Sequence, residues 1–251
     1  MQVLTFSTTE DMANFVACEL VKAITSFKPT QEKPFFVLGL PTGSTPLPVY
    51  KQLIEAYQNG LVSFKNVVTF NMDEYCGLPP HHEQSYHYFM HQNFFDFIDI
   101  PRNQIYILDG TNQNYQKECN LYEEKIASFG GIDIQLAGIG ENGHLAFNEP
   151  NTPFDTPTHL QKLTDNTIEV NARFFDSIQD VPTHALTIGL KTIFDARKIV
   201  IMATGLKKAQ AIQTSIEKPI NINCPASMVQ NHANVVFACD VEAASLLQSK
   251  I

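Results

Sequence analysis

Short apolar runs bounded by polar turns alternate along this chain with stretches of helical spacing. That alternation restricts the fold to strands of a buried parallel sheet separated by covering helices. The expected strands run from Phe35 to Leu40, Val67 to Asn71, Ile105 to Leu108, Ile132 to Gly138, His184 to Ile188, Ile199 to Ala203 and Val235 to Ala238. Tyr115, Cys119, Tyr122, Ile126 and Phe129 recur at helical spacing, and Leu47, Tyr50, Leu53, Ile54 and Tyr57 give a second such face. The pattern predicts a doubly wound α/β fold, a mostly parallel sheet with helices on both faces. A chain of 251 residues fits one such domain, spanning 1–251.

In an open parallel sheet, ligands bind beyond the carboxyl ends of the strands, where loops converge and helix N-termini point inward. Three predicted strand ends carry unusual polar sequences: Pro41 to Pro46, Asn71 to Tyr75, and the glycine-rich run after Gly138. The stretch 150–182 breaks the alternation with several prolines and threonines. An irregular insertion of that length in a compact domain is read as a lid segment.

Charge narrows what could bind there. A net charge of −9 argues against nucleic acid, which requires a concentrated basic face. An anionic ligand therefore needs a local, purpose-built site, and the chain has only Arg102, Arg173 and Arg197 to spend on one. No apolar run approaches the roughly 20 residues of a spanning helix, and no signal-peptide pattern precedes the first strand, so no membrane association and a cytoplasmic location are expected. Cysteines 18, 76, 119, 224 and 239 are odd in number and never paired as Cys-x-x-Cys, which fits reduced thiols and neither a disulfide framework nor a zinc knuckle.

Gly43, Ser44 and Thr45 follow a strand and precede a helix, with Pro46 suited to its first turn. Free N–H groups at such a helix start can cradle a phosphate, although an ordinary strand-to-helix turn has the same look. The segment is neither a Walker loop nor a dinucleotide fingerprint. Asp73 and Glu74, placed just after an apolar run, read either as a solvated turn or as an acid/base position tuned by burial. Neighbours in extended chain face opposite ways, so one of the two is expected to point into a site.

The run from Gly138 to Pro150 is the richest. Its glycines permit tight turns, and Asn142, His144 and Glu149 can orient and charge-balance an imidazole acting as a proton shuttle. The alternative is a structural histidine beneath a glycine turn. His87 and His91 have the four-residue spacing of two metal ligands on one helix face, within a run that also holds His81 and His82. The run lacks His-Glu-x-x-His order and no cysteine or carboxylate at ligand spacing completes a shell, so no metal is expected.

Taken together and in order, these segments resemble the glucosamine-6-phosphate deaminase family. The resemblance rests on Gly-Leu-Pro-Thr-Gly-Ser-Thr-Pro at 39–46, Thr-Phe-Asn-Met-Asp-Glu-Tyr at 69–75, Ser85-Tyr86, Gly-Ile-Gly-Glu-Asn-Gly-His-Leu-Ala-Phe-Asn-Glu-Pro at 138–150, Asn-Ala-Arg-Phe-Phe at 171–175, and Gly205 with Lys208. It spans nearly the whole chain. The related 6-phosphogluconolactonases share the glycine-histidine core but differ at the Asp73 segment and lack the Asn-Glu-Pro ending.

The resemblance implies a Rossmann-like fold and the conversion of glucosamine 6-phosphate and water to fructose 6-phosphate and ammonia. It implies that Asp73 is the base that moves the C2 proton to C1, and that His144 opens the sugar ring, oriented by Asn142 and Glu149. It implies a phosphate held by Gly43, Ser44 and Thr45 with Arg173 and Lys208. No metal or organic cofactor is implied, because the amino sugar supplies its own electron sink. Some members carry aspartate where this chain has Asn142, an amide that cannot offset an imidazolium charge, which leaves that task to Glu149. Between Glu149 and Arg173 the one Lys or Arg is Lys162, beside His159, so weak or absent activation by N-acetylglucosamine 6-phosphate is expected. A monomer is favoured over a homo-oligomer. The rival readings are a sugar-phosphate lactonase or isomerase of the same fold and a non-catalytic sugar-phosphate sensor; the latter lacks its DNA-binding helices here and does not explain Asp73, His144 and Glu149 together.

Overall fold

The computed structural model describes residues 1–248, so the last three residues of the expected 1–251 unit lie outside the described residues. Among the described residues, seven parallel strands, numbered by chain order, form one sheet. Their spatial order is β1 (Gln2–Phe6), β10 (Val235–Asp240), β9 (Lys198–Ala203), β6 (Ile134–Gly138), β2 (Phe36–Leu40), β3 (Val67–Asn71) and β5 (Ile105–Tyr106). Every residue of β2, β3 and β10 is buried, which is why these strands read as continuous apolar runs and not as alternation.

Helices α1 (Thr9–Ser26), α2 (Leu47–Gln58) and α3 (Tyr86–Asn93) cover one face, contributing Met12, Leu20, Tyr50, Leu53 and Met90 to its core. On the other face lie α4 (Tyr115–Ser128), α6 (Leu190–Phe194) and α7 (Ala209–Glu217), through Tyr122, Ile126, Ile193 and Ile212. Local chemistry sets several of their starts. The hydroxyls of Thr8 and Ser85 and the amide of Asn114 each accept a backbone N–H in the first turn of α1, α3 and α4. The doubly wound architecture is as the alternation predicts.

Two expectations need correction. His184–Ile188 is not a member of the parallel sheet: β8 (His184–Thr187) lies between β4 (Asp73–Tyr75) and β7 (His159–Lys162) in a separate antiparallel sheet. An apolar run reports burial, and burial does not say which sheet a strand joins. The stretch 150–182, read as irregular, supplies β7, then α5 (Asp165–Asn171) and two 3-10 turns. Four residues between proline- and threonine-rich flanks were too few to register as a strand. This second sheet builds a small core of Tyr75, Phe147, Leu163 and Ala185, with Tyr86, Ile168 and Phe175 packed against it.

The chain runs from β2 outward to β3 and β5, then returns to the opposite side of β2 as β6 and continues outward to β9 and β10. The winding therefore reverses between β2 and β6. A reversal of this kind opens a crevice at the carboxyl edge, because the loops leaving the two strands turn away from each other.

Candidate active site

Four consecutive strands, β9, β6, β2 and β3, deliver the predicted site segments to that one edge. β2 leads into Gly43–Thr45, β3 into Asp73, β6 into Gly140–Glu149 and β9 into Gly205–Lys208. The parallel register fixes this convergence, with Leu40 beside Asn71 and Gly138 beside Met202.

Asp73 opens β4, opposite Thr187 of β8. It is only 7 % exposed, and its Oδ1 is buried without a hydrogen-bond partner. Burial, reinforced by the charge of Glu74, pushes its carboxyl up to about 8. Glu74 faces the other way, as extended geometry requires. It accepts the N–H groups of Tyr75 (2.8 Å), Tyr86 (2.9 Å) and His87 (2.8 Å), and so caps α3. Burial raises Glu74 to about 7 against the pull of those three donors. Of the two readings left open by the sequence, the solvated turn is excluded, since both carboxylates are buried.

The Gly138–Pro150 segment folds tightly on itself. Gly140 donates to the His144 carbonyl (2.9 Å) and Gly143 to the Gly140 carbonyl (3.1 Å). A Cβ on Gly140 would lie 2.3 Å from the His144 ring, so only glycine lets the imidazole sit there. Gly143 has φ +85° and Ala146 φ +53°, the latter a left-handed conformation uncommon for a residue with a side chain.

His144 is half-buried, with Nδ1 3.6 Å from Glu149 Oε2, an ion-pair distance longer than a formed hydrogen bond. Glu149 Oε2 accepts from the Asn142 amide (2.9 Å) and Oε1 from the Thr167 hydroxyl (2.9 Å). Burial alone would raise the Glu149 carboxyl, but the imidazole of His144, the amide and the hydroxyl together hold it at about 2. The hydrogen bonds of Asn142 go to Glu149 and to the His144 backbone, and none goes to the imidazole ring. The Asn142 Oδ1 accepts the backbone N–H of His144 (3.1 Å), so Asn142 acts on the turn and on Glu149.

Thr187 joins the two halves of the site. It is the register partner of Asp73, and its Oγ1 accepts the N–H of Phe147 (3.2 Å) from the histidine segment. Nothing in the sequence marks Thr187. The aromatic wall beside Asp73 draws on four residues that stand in the quoted motifs without a role of their own: Tyr75 packs on Tyr86, Phe147 and Phe175 at centroid distances of 4.9, 5.8 and 6.1 Å.

The residues expected at a phosphate are less closely gathered. Gly43 has φ +94°, and α2 starts with no side-chain cap and no acidic residue in its first turn. Lys208 lies half-buried at the head of α7, its ammonium lowered from the usual lysine value by that burial. Asp240 holds the turn that presents it, accepting the Gly205 N–H on both oxygens (3.1 and 3.0 Å). Arg173 is exposed, with its guanidinium 4.7 Å over the Phe174 ring. Among the described residues no hydrogen bond joins Arg173 to the Gly43–Thr45 turn.

The histidine run lies apart. His87 and His91 stack at 4.6 Å, and His91 Nδ1 is 2.7 Å from Asp96 Oδ1. Among the described residues, no group of three or more His, Cys, Asp or Glu is placed to hold a metal ion. Nor is any helix long and apolar enough to cross a membrane.

An unpartnered buried carboxylate and a carboxylate-backed imidazole at neighbouring strand ends are groups for moving protons on carbon and oxygen. Comparison with known proteins agrees with that chemistry. The family model for glucosamine-6-phosphate isomerases/6-phosphogluconolactonase matches residues 7–237. The glucosamine-6-phosphate deaminase of Dictyostelium discoideum is 52% identical over 215 residues, 86% of this chain and 80% of that one. That of Glaesserella parasuis serovar 5 is 47% identical over 251 residues, 100% of this chain and 95% of that one. A solved structure described as a monomeric glucosamine-6-phosphate deaminase superposes with a TM-score of 0.92 at 40% identity, covering 98% of this chain and 100% of that one. The chain thus belongs to the glucosamine-6-phosphate isomerase/6-phosphogluconolactonase family and, within it, groups with the glucosamine-6-phosphate deaminases.

Proposed function

We infer that this protein converts glucosamine 6-phosphate and water to fructose 6-phosphate and ammonia. The observation that carries the reading is the pairing, through Thr187, of a buried carboxylate at Asp73, whose Oδ1 has no hydrogen-bond partner, with a His144 imidazole backed by the Glu149 carboxylate. A ring-opening proton transfer and a carbon-acid proton transfer need two separate groups, an imidazole and a desolvated base.

In this mechanism His144 carries a proton from the anomeric hydroxyl to the ring oxygen, and Glu149 stabilises the imidazolium that forms between the two transfers. The open-chain sugar then offers its C2 proton to Asp73. Removal of that proton, with one ammonium proton passing to the C1 oxygen, leaves a neutral enolamine across C1 and C2, and return of the proton from Asp73 to C1 gives a protonated ketose imine at C2. Water adds to the imine carbon, the carbon–nitrogen bond breaks, and ammonia leaves behind fructose 6-phosphate. Asp73 is poised for this, because a carboxylate without hydrogen bonds retains its basicity. The substrate's ammonium provides the positive charge that favours its ionised form.

The phosphate end sits on the Gly43, Ser44 and Thr45 amides beside Lys208. Arg173 serves it from the segment 150–182, which acts as a lid over the single 1–251 domain. The protein works as a monomer in the cytoplasm, without activation by N-acetylglucosamine 6-phosphate; the solved relative described as monomeric supports the first point.

A coupled assay for ammonia release from glucosamine 6-phosphate, run beside 6-phosphogluconolactone hydrolysis, tests the reading. Ammonia release with equimolar fructose 6-phosphate supports it, and lactone hydrolysis without ammonia release overturns it. A sigmoidal rate curve that N-acetylglucosamine 6-phosphate makes hyperbolic would sink the unregulated monomer.

A further inference from the structure

Glu149 divides its two oxygens between different parts of the chain. Oε2 meets Asn142 and His144, both within seven residues of it in the same turn. Oε1 meets Thr167, which lies on α5 in the middle of the proposed lid segment. Among the described residues, Thr167 is the side chain of that segment bonded to the Glu149 carboxylate, while the Thr152 hydroxyl, at the start of the segment, donates to the Glu149 carbonyl (2.7 Å).

The hydrogen bonding has a fixed direction. A carboxylate only accepts, so the Thr167 hydroxyl proton points to Glu149 Oε1 at 2.9 Å. Thr164 Oγ1 lies 2.9 Å from Thr167 Oγ1 and must therefore be the donor of that pair. Thr164 is also the cap of α5, accepting the Thr167 N–H at 3.2 Å. Protons thus line up from the first turn of α5 through Thr167 to the carboxylate that faces His144.

Packing links this chain of bonds to the seating of the segment. Leu163, just before the cap, is buried with Tyr75, Phe147 and Ala185, while Ile168 and Phe175 pack against the same cluster. Lifting α5 off that cluster would withdraw the Thr167 hydroxyl and leave Glu149 Oε1 free to rotate. Asn142 would then be its remaining hydrogen-bond donor, and the 3.6 Å approach to His144 Nδ1 would be governed by that single anchor.

We propose that Thr167 is a positioning residue, which aligns Glu149 against His144 only when the segment carrying α5 is seated. The proposal rests on Glu149 being the charge partner of the ring-opening histidine. It predicts that ring opening is switched on by the same movement that covers the substrate, so that proton transfer is suppressed while the crevice is open to water.

The test is a double-mutant cycle on the full chain with glucosamine 6-phosphate as substrate. Thr167→Val keeps the shape and removes the hydroxyl; kcat should fall about tenfold with KM held within about twofold. Thr167→Ser restores the hydroxyl and should return kcat to within about twofold of wild type. In a Glu149→Gln background the same Thr167→Val change should cost less than about twofold, because the group it acts through is gone. An undiminished tenfold loss in that background overturns the proposal, as does a raised KM with kcat intact, the mark of a segment that merely packs. Full kcat in Glu149→Gln alone would remove the role of Glu149 itself, a failure distinct from loss of the Thr167 route and readable while wild-type ammonia release still stands.

Discussion

Asp73 and Glu74 are consecutive and both buried, yet Glu74 accepts three backbone N–H groups while Asp73 Oδ1 accepts none. The strand's alternation turns one carboxylate into the cap of α3 and leaves the other facing the crevice. Their proximity has an electrostatic consequence, because the charge of Glu74 adds to burial in raising Asp73 to about 8. As the proposed base, Asp73 acts only when ionised, so kcat/KM, which reports the free enzyme, should rise about tenfold per pH unit and level off above about pH 8. Glu74→Gln removes the neighbouring charge and should move this limb to lower pH by roughly half to one unit. The substrate's own amine titrates identically with both proteins, so the difference between the profiles isolates Asp73. An unmoved limb would dissociate the two carboxylates.

Replacing Asp73 with Asn should lower ammonia release by roughly 10³-fold, since the amide cannot take the C2 proton, while sugar-phosphate binding changes little. The same substitution should stabilise the fold. The folded carboxyl titrates near 8, above the ordinary value of 3.8, so the native state holds a proton that the unfolded chain loses between those limits. Stability therefore declines as pH climbs from about 4 to about 8, and ionised Asp73 is a net cost above that window. Asn carries no such cost. Its Tm should exceed wild type by about 2–8 °C at about pH 9 and by less at about pH 5, measured by thermal melts.

Gly140 makes a separate claim about the histidine. A Cβ there would lie 2.3 Å from the imidazole Cε1 and Nδ1, so Gly140→Ala displaces the ring without touching its chemistry. Turnover of glucosamine 6-phosphate should fall about 100-fold, the usual consequence of moving a catalytic group by about an ångström. Deuterium exchange at C2 of an analogue held in open-chain form should fall far less, because the proposed mechanism gives that step to Asp73. Equal losses in the two assays would mean that His144 does not act at ring opening.

Much of this arrangement is legible in the sequence, for physical reasons that also mark where legibility ends. Strands such as Val67–Asn71 are buried on both faces and read as unbroken apolar runs, and the rule for carboxyl edges then places Gly43, Asp73 and Gly140 together. What is hidden are contacts between residues whose types are unremarkable and whose separation is long. Thr187 sits opposite Asp73 across a second sheet that no periodicity announced, and Thr167 reaches Glu149 from a stretch that read as irregular. Glu74 looks like a duplicate of Asp73 until α3 folds over it. Asp240, at the end of an otherwise apolar strand, gives no sign that its partner is Gly205.

That last contact yields a prediction about the phosphate end. Asp240 binds the Gly205 N–H through both oxygens and the Ala243 N–H (2.8 Å) through one, fixing the turn from which Lys208 emerges. Gly205 has φ +86°, so the turn is tight, and a small rotation of it would displace the half-buried ammonium from the proposed phosphate position. Asp240→Asn preserves volume but replaces one accepting oxygen with a donor that opposes the Gly205 N–H. KM for glucosamine 6-phosphate should rise about tenfold with kcat within about threefold, the pattern of lost ground-state binding. Residual turnover of unphosphorylated glucosamine should not change, because Lys208 has no phosphate to hold there. If kcat falls and KM stays, Asp240 serves the chemistry and not the anion, and the placement of Lys208 at the phosphate is wrong.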